Sequence, residues 1–526
     1  MKPKDDPVAL LDPPANTAAG VDLAEVRRAT ELLQAVVADR GVLADVPIDL
    51  RQALLIAAGQ ASRPQSFQEK RLVKTLRRAK RVRDDAEDRK TRAETGIRVA
   101  REATVFAAPA LRGVVTEEPA RELKKPKSCY VCKTEFTRLH HFYDSMCAEC
   151  AEFNYAKRFQ TADLTGRVGL VTGSRVKIGY HIALKMLRAG CEVIATTRFP
   201  HDSALRYSRE TDFQEWKHRL HVHGLDLRHP PSVEIFARYL DHTFKRLDFI
   251  VNNACQTVRR PPAFYEHLLA PEERPAAEYG ADVSGILQSH DALKTALDGG
   301  PGLTGATGSL GAGLMTLNGG RSGVGITASA ALSQIRYAYD DATRRMDLFP
   351  QGKLDADLQQ VDLRDENTWR MALADVPTAE MLEVQLVNAT APFILCARLK
   401  PLMMRVPTRD KHIVNVSAME GIFSRGTKTD KHPHTNMAKA ALNMMTLTAS
   451  RDYVNDGIHM NAVDTGWVTD EDPAIHADRK KAELDFAPPL DIVDGAARVC
   501  DPFFHGLLTG EHINGKFLKD YKVSNW

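Results

Sequence analysis

No uninterrupted apolar stretch in this chain approaches the roughly 20 residues that a bilayer-spanning helix needs, so a helical membrane protein is not expected. The opening Met1-Lys-Pro-Lys-Asp-Asp6 has no apolar run behind it, so neither is a secretory signal. An excess of one charge is missing too. Lys and Arg number 71 against 68 Asp and Glu, and +3 is too little to argue by itself for nucleic acid or a membrane surface. Cysteine is sparse outside one place: Cys191, Cys255, Cys396 and Cys500 lie scattered among core-like segments. That is no disulfide framework and predicts a reducing, cytoplasmic setting. With 526 residues of ordinary apolar content, the chain has room for roughly two to four domains and a large buried core.

The remaining four cysteines form one pattern, Cys129-x-x-Cys132 and Cys147-x-x-Cys150, separated by 14 residues. Each CxxC turn sets two thiolates on one side of a knuckle, and two knuckles complete a tetrahedron around zinc. Four protein ligands leave no open position, so the metal is structural; redox dithiols and plain core cysteines are the competing readings. His140 and His141, between the knuckles, are read as surface groups or as groups just outside the metal. A unit this small cannot build its own core, so the metal supplies its folding energy. Two roles stay open: ordering the junction with the region that follows, or binding a protein partner.

Upstream, residues 1–20 are rich in Pro, Ala and Asp and read as flexible. Asp22 is placed to cap a helix with an apolar stripe of Leu23, Val26, Leu33 and Val37, and a second helix runs from Leu50 to Ala61. From Ser66 to about Ala103 one long charged helix is predicted, with 13 basic and 7 acidic residues between Glu69 and Glu102. Its weak heptad seam of small residues, broken at Arg83 and Lys90, favours a solvated helix packed on the rest of the protein. Nucleic-acid binding would need aromatic or base-reading groups that do not stand out. The expected division is 1–125 helical and partly flexible, 126–155 zinc module, and 160–526 a nucleotide-binding domain with an insertion at about 265–362.

The most informative stretch is Gly166-Arg-Val-Gly-Leu-Val-Thr-Gly-Ser-Arg-Val-Lys-Ile-Gly179, an apolar strand entering a glycine turn and then a helix. Gly173 supplies the turn, and Gly179 lets the helix start lie close to the strand. The first-turn N–H groups and the positive end of the helix dipole then suit a pyrophosphate. A second strand, Glu192-Val-Ile-Ala-Thr-Thr197, follows at βαβ spacing. Thr172-Gly173-(three residues)-Lys177-Ile178-Gly179 resembles the TGxxxGxG of the short-chain dehydrogenase/reductase family, with lysine at the middle glycine. Asn252-Asn253-Ala254-Cys255 resembles that family's NNAG. Asp226 stands where the family contacts adenine. Val463-Asp-Thr-Gly466-Trp-Val468 resembles its PG loop, with Thr465 in place of proline.

The resemblance covers about Asp163 to Gly515 and implies an α/β fold with a doubly wound, Rossmann-like parallel sheet. It also implies a small-molecule substrate and a homo-oligomer. The insertion interrupts it, and the glycine-rich 299–325 segment reads equally as an active-site lid or a loose loop. Charge decides the cofactor. The second strand ends in Arg198 rather than an acid, and Arg175 and Lys177 lie in the turn, so three cations favour NADP over NAD.

Members of this family use an Asn-Ser-Tyr-Lys set. The resemblance assigns Asn388 to the asparagine and Lys439 to the lysine. Thr435 occupies the tyrosine position, and Ser417 falls one residue early, leaving Ala418 at the serine position. An aliphatic hydroxyl ionises far less readily than a phenol, so the proton must come from elsewhere. His434 and His432 are the nearest groups titrating in a useful range, and His434 is the candidate. Two functions follow: an NADP-dependent reductase of a small carbonyl, imine or polarised double bond with an atypical proton-transfer site, or a catalytically silent NADP-binding scaffold or redox-sensing regulator.

Overall fold

The computed structural model describes residues 22–63, 66–103, 121–298, 323–336 and 347–526. They fall into two units, Met1–Arg83 and Asp84–Trp526. In the first, Asp22 caps the helix Leu23–Ala38 by accepting the Ala24 N–H at 3.0 Å, as expected. The expected stripe is not the buried one. Leu23 is 69% and Val37 85% exposed, while Val36 and Leu43 are buried. A second helix spans Ile48–Ser62. Residues 1–20, read as flexible, lie outside the described residues.

The single long charged helix is instead two. Ser66–Ala93 ends at Glu94-Thr95, and Gly96–Glu102 begins anew. The break is a docking point: Gly96 and Ile97 donate their N–H groups to the carbonyls of His141 and Phe142, both at 2.9 Å. A Cβ on Gly96 would sit 2.7 Å from the Phe142 ring, so glycine is required there.

Strands β1 (Arg121–Ser128) and β2 (Glu135–Leu139) pair antiparallel, and the helix Ala148–Phe159 follows. The main sheet holds β3 (Val168–Thr172), β4 (Glu192–Thr197), β5 (Leu220–Gly224), β6 (Phe249–Asn252), β7 (Lys411–Ser417), β8 (Ile458–Asp464), β9 (Phe517–Lys519) and β10 (Lys522–Ser524). Their order is β10-β9-β8-β7-β6-β3-β4-β5, parallel except for β10. This is the doubly wound sheet expected from the sequence, with its switch point between β3 and β6.

Side-chain alternation splits the core into two layers. Val171, with Ala195 and Val222, packs under the helices Lys177–Arg188 and Ile492–Thr509. Val168 and Leu170, with Ile194 and Ile250, pack under Pro230–Thr243 and Ala391–Met404. The insertion contributes packed structure as well: in the helix Ala281–Asp298, Val283, Ile286, Leu287 and Leu293 are buried. Most of its glycine-rich segment, 299–322, lies outside the described residues.

Candidate cofactor and active site

The glycine turn is built by two segments that the sequence keeps 80 residues apart. The Thr172 hydroxyl accepts the N–H groups of Asn253 and Ala254, both at 3.0 Å. The Asn253 amide donates to the carbonyls of Thr172 and Gly173 at 3.0 and 3.2 Å. Gly173 has φ +66°, and a Cβ there would lie 2.8 Å from the Ala254 backbone. A Cβ on Gly179 would lie 2.2 Å from the Gly173 carbonyl oxygen, which is why the helix can start so close to the strand. Lys177 keeps the left-handed backbone, φ +54°, that a glycine would adopt freely. A side chain in that conformation costs about 1–3 kcal/mol, and it adds a cation to the turn.

Of the three cations expected around a 2′-phosphate, one is already neutralised. Arg175 is buried and pairs with Asp202 at 2.7 Å, and Arg206 holds the same carboxylate. Arg198 instead donates to the Tyr265 hydroxyl at 2.7 Å and lies 4.5 Å over that ring, and Phe199 stacks on the same tyrosine. Tyr265 belongs to the helix Pro262–Glu273, where the insertion begins. Asp226 is buried and gripped by Arg228, which also holds Glu383 at 2.6 Å.

Arg175, Arg198, Asp226, Arg228 and Tyr265 line a cleft of about 1400 Å³ at the carboxyl ends of the strands. That exceeds the roughly 300–1,000 Å³ of an ordinary ligand pocket, enough for a dinucleotide and a second molecule. Lys439, on the helix Pro433–Tyr453, lines it, with Nζ donating to the Val416 carbonyl at 2.7 Å. Asn388 sits in a single π-helical turn, Leu386–Thr390, and exchanges two hydrogen bonds with the Gln256 backbone, at 2.8 and 3.0 Å. The Ser417 hydroxyl is committed to Asn443 at 2.5 Å.

Thr435 and His434 are buried and are absent from the cleft lining. Burial drops the His434 pKa to about 4. The imidazole that does line the cleft is His432, stacked 4.0 Å from Trp369 with Nδ1 3.1 Å from Asn436 Oδ1. His432, with a left-handed backbone of φ +43°, immediately precedes the helix Pro433–Tyr453. Glu471, unmarked in the sequence, also lines the cleft. Burial pushes its carboxyl up, but Lys177 and the hydroxyls of Thr469 and Thr257 outweigh this and hold it below the usual range.

On the last strand ends, Gly466 has φ +77° and donates its N–H to Asp464, and Val468 is buried. Trp467 donates its N–H at 3.0 Å to the hydroxyl of Tyr130, which lies between Cys129 and Cys132. No sequence signal placed that tyrosine at the cleft.

The ligand atoms of Cys129, Cys132, Cys147 and Cys150 lie within 4.8 Å of one another, a set of four thiols that suits tetrahedral metal coordination. His140 is not part of that set. It is buried rather than at the surface, and its Nδ1 accepts the Phe142 N–H at 3.1 Å. Buried charge joins the helix Ala148–Phe159, which follows the second cysteine pair, to the start of the helix Ile492–Thr509. Arg158 pairs with Asp491 and Asp494 at 2.7 and 2.9 Å, and the Tyr143 hydroxyl reaches Asp494 at 2.5 Å. Asp491 and Asp494 are also the capping box of the helix Ile492–Thr509.

Two segments of the chain match family models, which supports membership of the short-chain dehydrogenase/reductase family. The family model described as short chain dehydrogenase matches residues 167–268, and that described as enoyl-(acyl carrier protein) reductase matches 349–487. The gap between the two matches falls on the insertion. An uncharacterized protein of Acanthamoeba polyphaga mimivirus is 29% identical over 389 residues, covering 72% of this chain and 71% of that one. Among solved structures, the chain is similar to the Pseudomonas aeruginosa RhlG/NADP active-site complex (16% identity, TM-score 0.39, 68% of this chain and 95% of that one). It is similar, too, to a short chain dehydrogenase from Burkholderia cenocepacia in complex with NADP (16% identity, TM-score 0.39, 68% and 96%). Among the described residues, no helix is long and apolar enough to cross a membrane.

Proposed function

We propose that this chain is an NADP-dependent oxidoreductase, a reductase of a small carbonyl, imine or polarised double bond with an altered proton-transfer site. The observation that carries this reading is the knitting of Thr172, Gly173, Gly179 and Asn253 into one turn at the mouth of the cleft. When bound, the nicotinamide cofactor would supply a hydride. The first turn of the helix Lys177–Arg188, with Ile178 and the Lys177 ammonium, would hold its pyrophosphate. Arg198, which donates to the Tyr265 hydroxyl and acts on the nearby Asp226 carboxylate, would hold the 2′-phosphate, and Asp226 would flank the adenine. Arg175 is assigned to the wall, since Asp202 already neutralises it. Lys439 would hold the nicotinamide ribose, and Gly466 and Val468 would border the ring.

His432 takes the place in proton transfer that the spacing suggested for His434. Asn436 engages its Nδ1, leaving Nε2 to exchange a proton with substrate. With Nδ1–H donating to the amide oxygen, Nε2 carries a proton only in the imidazolium, so the charged form would be the acid, and burial, which lowers its pKa, makes that form scarce at neutral pH. The four cysteines are proposed to hold a structural zinc ion. A catalytically silent NADP-binding scaffold or redox-sensing regulator, with the zinc module engaging a partner, is favoured by two observations. The Ser417 hydroxyl is spent on Asn443, and Thr435 is withdrawn from the cleft.

Calorimetry with NADPH and NADH, followed by absorbance assays with a panel of carbonyl and imine substrates, separates the readings. Tight NADPH binding with turnover lost in His432→Ala is the expected result. Binding without turnover on any substrate selects the scaffold, and no uptake of either nucleotide removes both.

A further inference from the structure

We propose that Tyr130, carried on the first cysteine knuckle, is a positioning residue for the nicotinamide-side wall of the cleft. The cysteine module is then a working part of the cofactor site. This rests on the cofactor reading above.

The strand order assigns the two halves of the ligand. The phosphate turn follows β3, and Arg198 and Asp226 follow β4 and β5. A dinucleotide laid across the switch point therefore has its other half over β7 and β8. The loop Gly466-Trp467-Val468 follows β8 and is gripped from two sides. Asp464 accepts the Gly466 N–H, and the Tyr130 hydroxyl accepts the Trp467 N–H at 3.0 Å. The same hydroxyl oxygen would lie only 3.1 Å from a Cβ on Gly466. Tyr130 is itself fixed, because its N–H donates to the Ser145 carbonyl at 2.8 Å.

Apolar packing continues the connection. Cys129, Met146, Val468, Leu490 and Ile492 form one buried cluster, with Tyr130 and Ile178 of the phosphate turn packed against it. Tyr130 and Lys133, two residues of the knuckle, line the cleft. Knuckle geometry, set by the four thiols, is thereby transmitted through one oxygen to the loop beside the reacting end of the cofactor.

The test compares two probes on metal-replete protein whose zinc content has been measured. NADPH spans both halves of the site, and adenosine 2′,5′-bisphosphate occupies only the adenosine half. Tyr130→Phe, which keeps the ring and deletes the acceptor, is expected to weaken NADPH about three- to tenfold and leave the bisphosphate unchanged. If both affinities match wild type, or both fall in parallel, the positioning role is overturned. If the wild-type protein takes up neither probe, it is the cofactor reading that fails, and the inference with it.

Discussion

On the proposed reading, Arg198 would carry the choice between the two nicotinamide cofactors, because Arg175 is already paired with Asp202. A charge-assisted hydrogen bond contributes about 1.5–3 kcal/mol, so Arg198→Ala is expected to weaken NADPH by roughly 10- to 100-fold and NADH little. Parallel titrations of the two nucleotides check this. Lys177 is a different case: its left-handed backbone costs energy that glycine would not, φ being +54°. Lys177→Gly is expected to leave thermal stability equal or higher while weakening phosphate binding, read from denaturation and calorimetry on one sample. His434 makes a statement about pH. Its folded pKa of about 4 lies below the unfolded value near 6.5, so the unfolded state binds the extra proton. Stability on this account is fully present above pH 6.5 and falls as pH drops toward 4, by up to about 1.4 kcal/mol per unit. His434→Gln should flatten that slope in urea titrations, whereas a change in turnover would point back to a catalytic role.

At the scale of elements, the turn from β3 into its helix was legible because it depends on local backbone. Gly173 and Gly179 are required by contacts of 2.8 and 2.2 Å that any Cβ would make. Gly179→Ala should therefore abolish NADPH uptake and lower stability, whereas Gly166→Ala would meet nothing within 4 Å and strain only its own φ of +74°. The catalytic helix was less legible. Spacing from Lys439 points to Thr435 and His434, but the left-handed His432 and its stacking on Trp369 decide which imidazole reaches the cleft. A one-residue offset around a helix turns a side chain by about 100°, and no pattern in residues 428–436 reports where the first turn begins. The N-terminal charged segment failed as one helix for a similar reason. Its break at Thr95-Gly96 serves a backbone docking on His141 and Phe142 that composition does not announce.

Over the whole second unit, buried charge ties the cysteine module to the helix Ile492–Thr509. Arg158→Ala would leave Asp491 and Asp494 without their cation in the interior, a loss of about 3–5 kcal/mol. A lowered melting temperature with zinc content retained is the expected signature. The sequence by itself determined the parallel sheet, the glycine turn and the thiol cluster. Each is written in short-range pattern: apolar runs along strands, glycines at steric pinch points, and cysteines paired within one turn. Only the tertiary structure decided that Arg175 is spent on Asp202, that His432 and not His434 meets the cleft, and that Tyr130 reaches across to Trp467. Those outcomes depend on groups from 27 to 337 residues apart arriving within hydrogen-bonding distance, or on where one helix begins, and neither is encoded in local spacing.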